Sequence, residues 1–232
     1  MTDLRQTALQ GIDRMLYSRR DPVIHPVSIL ELRPTQMTVG YREVERKRGT
    51  WGAKSDKNAA LATHMAPVVL GPGGERFITD HHHLTRALFD EGQKEVFVTV
   101  VGDLRKADPE RFWTLMDFHG WTHPFDEKGL RCDYADLPKT VQGLKDDPYR
   151  SLSGALRRQG GFAKDATPFS EFVWADFFRS RIKLKDLKRD FDAAAAQAMR
   201  LAKSSDADYL PGWCGRQEDK PAGGKTRGKK PA

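Results

Sequence analysis

A chain of 232 residues with 38% hydrophobic and 31% charged side chains has the composition of a globular protein able to bury a sizeable core. No apolar run approaches the roughly 18 residues of a membrane span. Met1-Thr2-Asp3-Leu4-Arg5-Gln6 lacks the basic-then-apolar order of a signal peptide, so a cytoplasmic protein without membrane contact is expected. Cys132 and Cys214 are the two cysteines and form no CxxC pair, which argues against a disulfide framework and a thiolate zinc cage.

Leu4, Ala8, Ile12 and Met15 recur at helical spacing and predict an N-terminal helix reaching about Arg19. Val27 to Leu32 reads as a strand, and the polar stretch from Thr35 to Lys57 as loop with a helical segment around Tyr41 to Lys47. Pro67 to Leu70, the turn Gly71-Pro72-Gly73-Gly74 and Arg76 to Thr79 predict a hairpin. Leu84, Ala87, Leu88 and Glu91 then mark a short helix, with Asp80 as its N-cap and Gly92 as its stop. Val96 to Val101 is nearly all apolar, the pattern of a strand buried on both faces. Strand, turn, strand, helix, strand make an α+β unit.

Further on, Asp108-Pro109 opens a helix that Gly120 ends, and Ser151 to Arg158 forms another before Gly160-Gly161. Thr167-Pro168 opens a third, whose Phe169, Phe172, Trp174, Phe177 and Phe178 read as core rather than as a ligand platform. Leu187 to Leu201 predicts one long last helix. From Arg216 to Ala232 six basic residues face two acidic ones, so this Gly/Pro/Lys tail holds +4 of the formal +7. It reads as disordered, able to touch nucleic acid without sequence preference.

The chemistry concentrates in Thr79-Asp80-His81-His82-His83, where a strand passes into a helix. The first amides of a helix have no intrahelical acceptors and lie at its positive end, so they suit phosphate or carboxylate. Histidines there add donors whose charge changes near neutral pH. Asp80 could cap the helix, orient an imidazole, or ligate Mg²⁺ beside a nucleotide. The alternative is that Asp80 merely caps and the histidines lie on the surface. His82 points to a different side of the helix from His81 and His83, so the three cannot share one zinc.

The run Asp80-His81-His82-His83-Leu84-Thr85-Arg86-Ala87-Leu88 and Glu91-Gly92, with Leu32-Arg33-Pro34-Thr35-Gln36 upstream, resembles the ParB-like nuclease family. Asp147-Pro148-Tyr149-Arg150-Ser151-Leu152 and Pro168-Phe169 through Phe177 resemble its helical C-terminal part. The likeness runs from about Val27 to Ile182, with His81 where the family usually has Gly. It implies a ParB/sulfiredoxin-like fold with a small mixed sheet and a helical C-terminal extension. Sulfiredoxins carry Cys where His82 stands here and Arg where Leu84 stands, so their thiol chemistry is not expected. ParB partition proteins have an Arg-rich nucleotide motif and a following helix-turn-helix, neither of which is read here.

Free serine kinases of this fold bind phosphate at the corresponding helix and use a Glu after the first strand. That place is near Gln36 here, leaving Glu43 or Glu31 as the base. The resemblance therefore implies a nucleotide-binding phosphotransferase acting on a small hydroxyl compound. His82, His83, Asp80 and Glu43 would be catalytic, and Thr79, His81, His82, His83 and Arg33 would bind the cofactor, with Arg42 and Arg46 as further cations. ATP, ADP or CTP is the expected cofactor, with Mg²⁺ on Asp80. A DNA-associated nuclease or partition-type protein and a non-catalytic ligand-binding module are the alternatives. The organisation expected is a helix over 1–20, a core over 21–106, a helical extension packed on it over 107–210 and a tail over 211–232.

Overall fold

Four residue steps separate the end of strand β1 (Pro26–Ser28) from the start of β2 (Leu32–Pro34), yet the two strands form opposite edges of one sheet. Four residue steps span at most about 14 Å, whereas five flat strands would separate their edges by about 19 Å. The sheet must therefore curl. Its order is β1, β6 (Glu95–Asp103), β4 (Ala66–Leu70), β5 (Arg76–Ile78), β2, with β1 antiparallel to β6 and β4 antiparallel to β5. The β6–β4 and β5–β2 pairs are parallel. One 3₁₀ turn, Ile29–Glu31, makes the crossing, so the single strand read over Val27 to Leu32 is two strands. A register shift between Val68 and Val69 adds a bulge, a device that bends and twists a strand.

The computed structural model describes residues 26–215, and the predicted N-terminal helix and most of the basic tail lie outside them. The described chain falls into two compact units that meet between Asp147 and Pro148. Residues 107–147, grouped with the helical extension on sequence, belong to the first. That unit holds the sheet, a two-stranded parallel pair of β3 (Thr38–Val39) and β7 (Lys145–Asp146), and helices α1 (Tyr41–Gly52), α2 (Lys57–Thr63), α3 (His82–Asp90) and α4 (Pro109–Phe118). Alternation along β5 sends Ile78 into the main core with Leu32, Val68 and Leu88. Phe77 goes to the other face, against Phe112 and Met116 of α4. β6 buries Val96 and Val98 but leaves Val101 46% exposed, so it is not covered on both faces as its apolar run predicted.

The second unit comprises α5 (Pro148–Arg158), α6 (Ser170–Arg179), α7 (Leu184–Arg189) and α8 (Phe191–Ala202). Phe172, Trp174, Phe177 and Phe178 are core, with the Trp174 ring stacked on Phe162 and its indole N–H donating to the Pro211 carbonyl. The long last helix is interrupted at Asp190, whose extended backbone and carboxylate cap α8 through the Ala193 amide. The result is α+β, as expected.

Glycines give a test of the first unit's packing. A Cβ on Gly71 would sit 2.5 Å from Phe77 Cε2 and 3.0 Å from Phe112 Cε2, whereas one on Gly49 of α1 meets nothing within 4 Å. Gly71→Ala should cost about 1–3 kcal/mol by overpacking, and Gly49→Ala should gain up to about 1 kcal/mol. Denaturant titration of the two variants checks both signs.

Candidate functional site

β5 remains laddered to β4 through the Thr79 amide, which donates to the Pro67 carbonyl at 3.0 Å. The Thr79 hydroxyl lies 3.5 Å from the same oxygen. The chain then turns sharply. His81 occupies the left-handed region, φ 67° and ψ 17°, and is the residue from which α3 starts. A non-glycine residue pays about 1–2 kcal/mol for that conformation. Asp80 is not the expected N-cap: its Oδ1 accepts the His81 amide at 2.6 Å and reaches no farther along the helix. The first helical hydrogen bond runs from the Thr85 amide to the His81 carbonyl, so the preceding amides have no acceptor within α3.

The next two imidazoles turn inward. His82 is buried, and its Nε2 accepts the Thr35 amide at 3.1 Å. A backbone N–H can only donate, so Nε2 holds the lone pair and the ring proton of the neutral imidazole is on Nδ1. Burial pushes this imidazole down to about 3, outweighing the Asp80 charge that raises it, and neighbouring His81 lowers it further. His83 Nε2 likewise accepts the Gly40 amide at 3.0 Å. Thr35 is held on every side. Its hydroxyl donates to the Ile78 carbonyl, and its own carbonyl accepts the His123 amide and the Thr122 hydroxyl. His82 and His83 thus fasten the segment between β2 and α1 to the start of α3, and their Nε2 atoms do not face a ligand as the sequence reading expected.

His81 differs. Its ring is half-buried, bonds to the Met65 backbone and leaves Nδ1 buried without a hydrogen-bond partner. Burial lowers its pKa, Asp80 opposes, and Lys47 and His64 lower it further, which places those charges around one ring. Lys47 and His64 also line a cleft of about 110 Å³ that α1, α2 and α3 enclose, with Trp51, Leu61, Leu84 and Leu88 as its floor; His81 itself is not part of that lining. Arg46, Lys47, Lys54 and His64 are its rim. Glu43, in the first turn of α1, is buried and engaged by Arg46 at 2.5 Å and Lys47 at 3.9 Å. The sequence reading named Arg46 but missed Lys47, Trp51 and Lys54, although the i, i+4 spacing of Lys47 and Trp51 puts them on one face of α1, with Lys54 just past its end.

A family model described as putative ParB-like nuclease matches residues 25–180. The chain belongs to that family. It is similar to protein Atu1540 from Agrobacterium tumefaciens, whose crystal structure shares 46% identity and a TM-score of 0.79 over 84% of this chain and 100% of that one. No curated protein matches.

Within this ParB-like domain, with its ParB/sulfiredoxin-like fold, the remaining expected residues scatter. Arg33 pairs with Glu75 and lies 5.7 Å over the Phe77 ring, on the face away from α3. Glu31 pairs with Arg76, and the buried Gln36 donates to the Thr38 carbonyl. Arg42 is exposed on α1. No group of three or more His, Cys, Asp or Glu among the described residues is arranged to hold a metal ion. A Mg²⁺ at Asp80 would therefore rest mainly on ligand phosphates. No helix among the described residues is long and apolar enough to cross a membrane.

The buried staple has a pH signature. Above its ordinary pKa of 6.5, His82 is neutral whether folded or unfolded; below it, the unfolded imidazole protonates while the folded one resists until about 3. Stability should fall as pH drops through that window, by up to about 1.4 kcal/mol per unit. His82→Ala should cost about 2–4 kcal/mol at neutral pH by leaving a cavity and an unanswered Thr35 amide, and His82→Gln should flatten the acid slope. Denaturant melts at about pH 4 to 7 read both effects, and an unchanged slope in His82→Gln would assign the titration to other groups.

Proposed function

We propose that this ParB-like protein binds a phosphate-bearing small ligand, a nucleotide such as ATP, ADP or CTP, at the corner where β5 enters α3. The observation that carries the reading is the buried, unpartnered Nδ1 of His81 at the opening of α3, with Lys47 near its ring and the cations Arg46, Lys47 and Lys54 on the rim of the neighbouring cleft. A neutral Nδ1 accepts a hydroxyl proton, and a phosphate dianion can instead draw a proton onto it. The apolar floor of the cleft, at about 110 Å³, has room for only a fragment of the organic part, so most of the molecule would lie outside it.

Phosphoryl transfer to a small hydroxyl compound is the second reading. It rests on Glu43, whose carboxylate lies on the helix that also supplies Arg46 and Lys47. Such transfer depends on positioning and charge neutralisation, with Mg²⁺ held by the phosphates and Asp80. Ligand phosphates would have to draw the two cations away before Glu43 could take a proton. Binding without turnover demands less of the geometry. DNA association through the basic tail is a third reading, and it would weaken steeply with salt.

Calorimetry with each nucleotide, with and without Mg²⁺, tests the proposal. The full chain should bind one of them below millimolar concentration, and Lys47→Ala should weaken binding about tenfold. His81→Gly should raise stability by up to about 1 kcal/mol, since glycine accepts the left-handed backbone, while it lowers affinity. No binding by the wild type at millimolar nucleotide contradicts the proposal.

A further inference from the structure

The opposite face of the sheet carries a larger cavity, about 660 Å³, within the roughly 300–1,000 Å³ of ligand sites. Phe77 and Phe112 form its floor, and β5 alternation sends Phe77 away from Ile78 and α3. One wall is a stacked pair, Trp113 on Tyr134, with ring centroids 4.7 Å apart and planes within 1°. Tyr134 is pinned there by its hydroxyl, which donates to Asp117 and accepts from Arg131. The platform is therefore organised before any ligand arrives.

Charge narrows the occupant. Arg33 and Glu75 neutralise each other across one side, which leaves Glu110 and Asp133 as the net charge of the lining, −2 in a chain whose formal charge is +7. Backbone supply narrows it further. β2 is an edge of the sheet, but it is three residues long and ends in Pro34, which has no amide to offer an added strand. Pro72, Pro109 and Pro138 continue this donor-poor rim. Trp113 and Tyr134 turn one face to each other and Arg131 lies 5.4 Å from the Tyr134 centroid, so recognition here comes from the ring surface left lining the cavity and from carboxylates rather than from strand pairing.

We propose that this cavity is a docking site for a proline-rich peptide segment bearing an Arg or Lys, its polyproline turns packed on Trp113 and Tyr134 and its cation at Glu110 and Asp133. Polyproline II has no internal hydrogen bonds and a low entropy of ordering, so it suits an aromatic surface with few backbone donors. The site is independent of the nucleotide corner.

The probe is the acetylated, amidated peptide Pro-Pro-Arg-Pro-Pro-Arg-Pro, followed by calorimetry and by tryptophan fluorescence of the full chain. Binding is expected at micromolar to high-micromolar concentration. Trp113→Ala should weaken it at least about tenfold, and Glu110→Gln, at an exposed position in the first turn of α4, severalfold. A peptide with Glu in place of each Arg should bind markedly less well. The proposal is overturned by absent binding at millimolar peptide, by equal binding of the Glu peptide, or by an unaltered affinity in both variants. It is overturned equally if benzyltrimethylammonium alone matches the peptide, which would make the cavity a small-cation site.

Discussion

Two backbone amides, 47 and 43 residues before the imidazoles that accept them, hold the corner together. Thr35 donates to His82 and Gly40 to His83, and between them lies the whole passage from the sheet edge to α1. A buried amide without an acceptor costs about 1–3 kcal/mol, so this passage needs the imidazole lone pairs. An imidazole that accepts an amide through Nε2 keeps that nitrogen unprotonated, and for His82 burial enforces it. Without that neutrality the passage loses its acceptors at the point where α1 begins, although Val44 and Trp51 of α1 still share the apolar core with Ala87 and Leu88 of α3.

This explains why three adjacent histidines behave differently. A helix separates consecutive side chains by about 100°, so His82 and His83 are carried under the β2–α1 segment while His81, still before the helix, points toward Met65, Lys47 and His64. The left-handed backbone of His81 is strain kept at a place where glycine would relieve it. Strain of this kind gathers at functional positions, and here it sets an imidazole at the opening turn of α3, with Lys47 near its ring. In the proposed function His81 meets the ligand, and the other two histidines keep the ligand's seat in shape.

Much of the fold was legible because its signals are local. Gly71-Pro72-Gly73-Gly74 between two apolar runs gave the β4–β5 hairpin, and Gly92 with φ 75° ends α3 where its position implied. Asp190 was also a local signal, an N-cap three residues before Ala193, overlooked within an alanine-rich run. The crossing between β1 and β2 was not legible, because only the curl of the whole sheet brings its two edges within reach of one turn. The strand–helix corner was located by sequence, but the direction of each imidazole depends on partners 47 and 43 residues away. Asp80 was misread as a cap because the left-handed turn at His81 directs its carboxylate to the nearest amide.

The central claim is that His82 and His83 are neutral acceptors for the protein's own backbone, while His81 faces the ligand. Long-range ¹H–¹⁵N NMR of the histidine rings, recorded with and without nucleotide, reads this directly. His82 and His83 should appear as Nδ1–H tautomers that nucleotide leaves unmoved, with His82 untitrated near neutral pH, while the His81 resonances shift. A His82 ring titrating near 6.5, or His82 and His83 shifting with nucleotide while His81 stays still, would contradict the account.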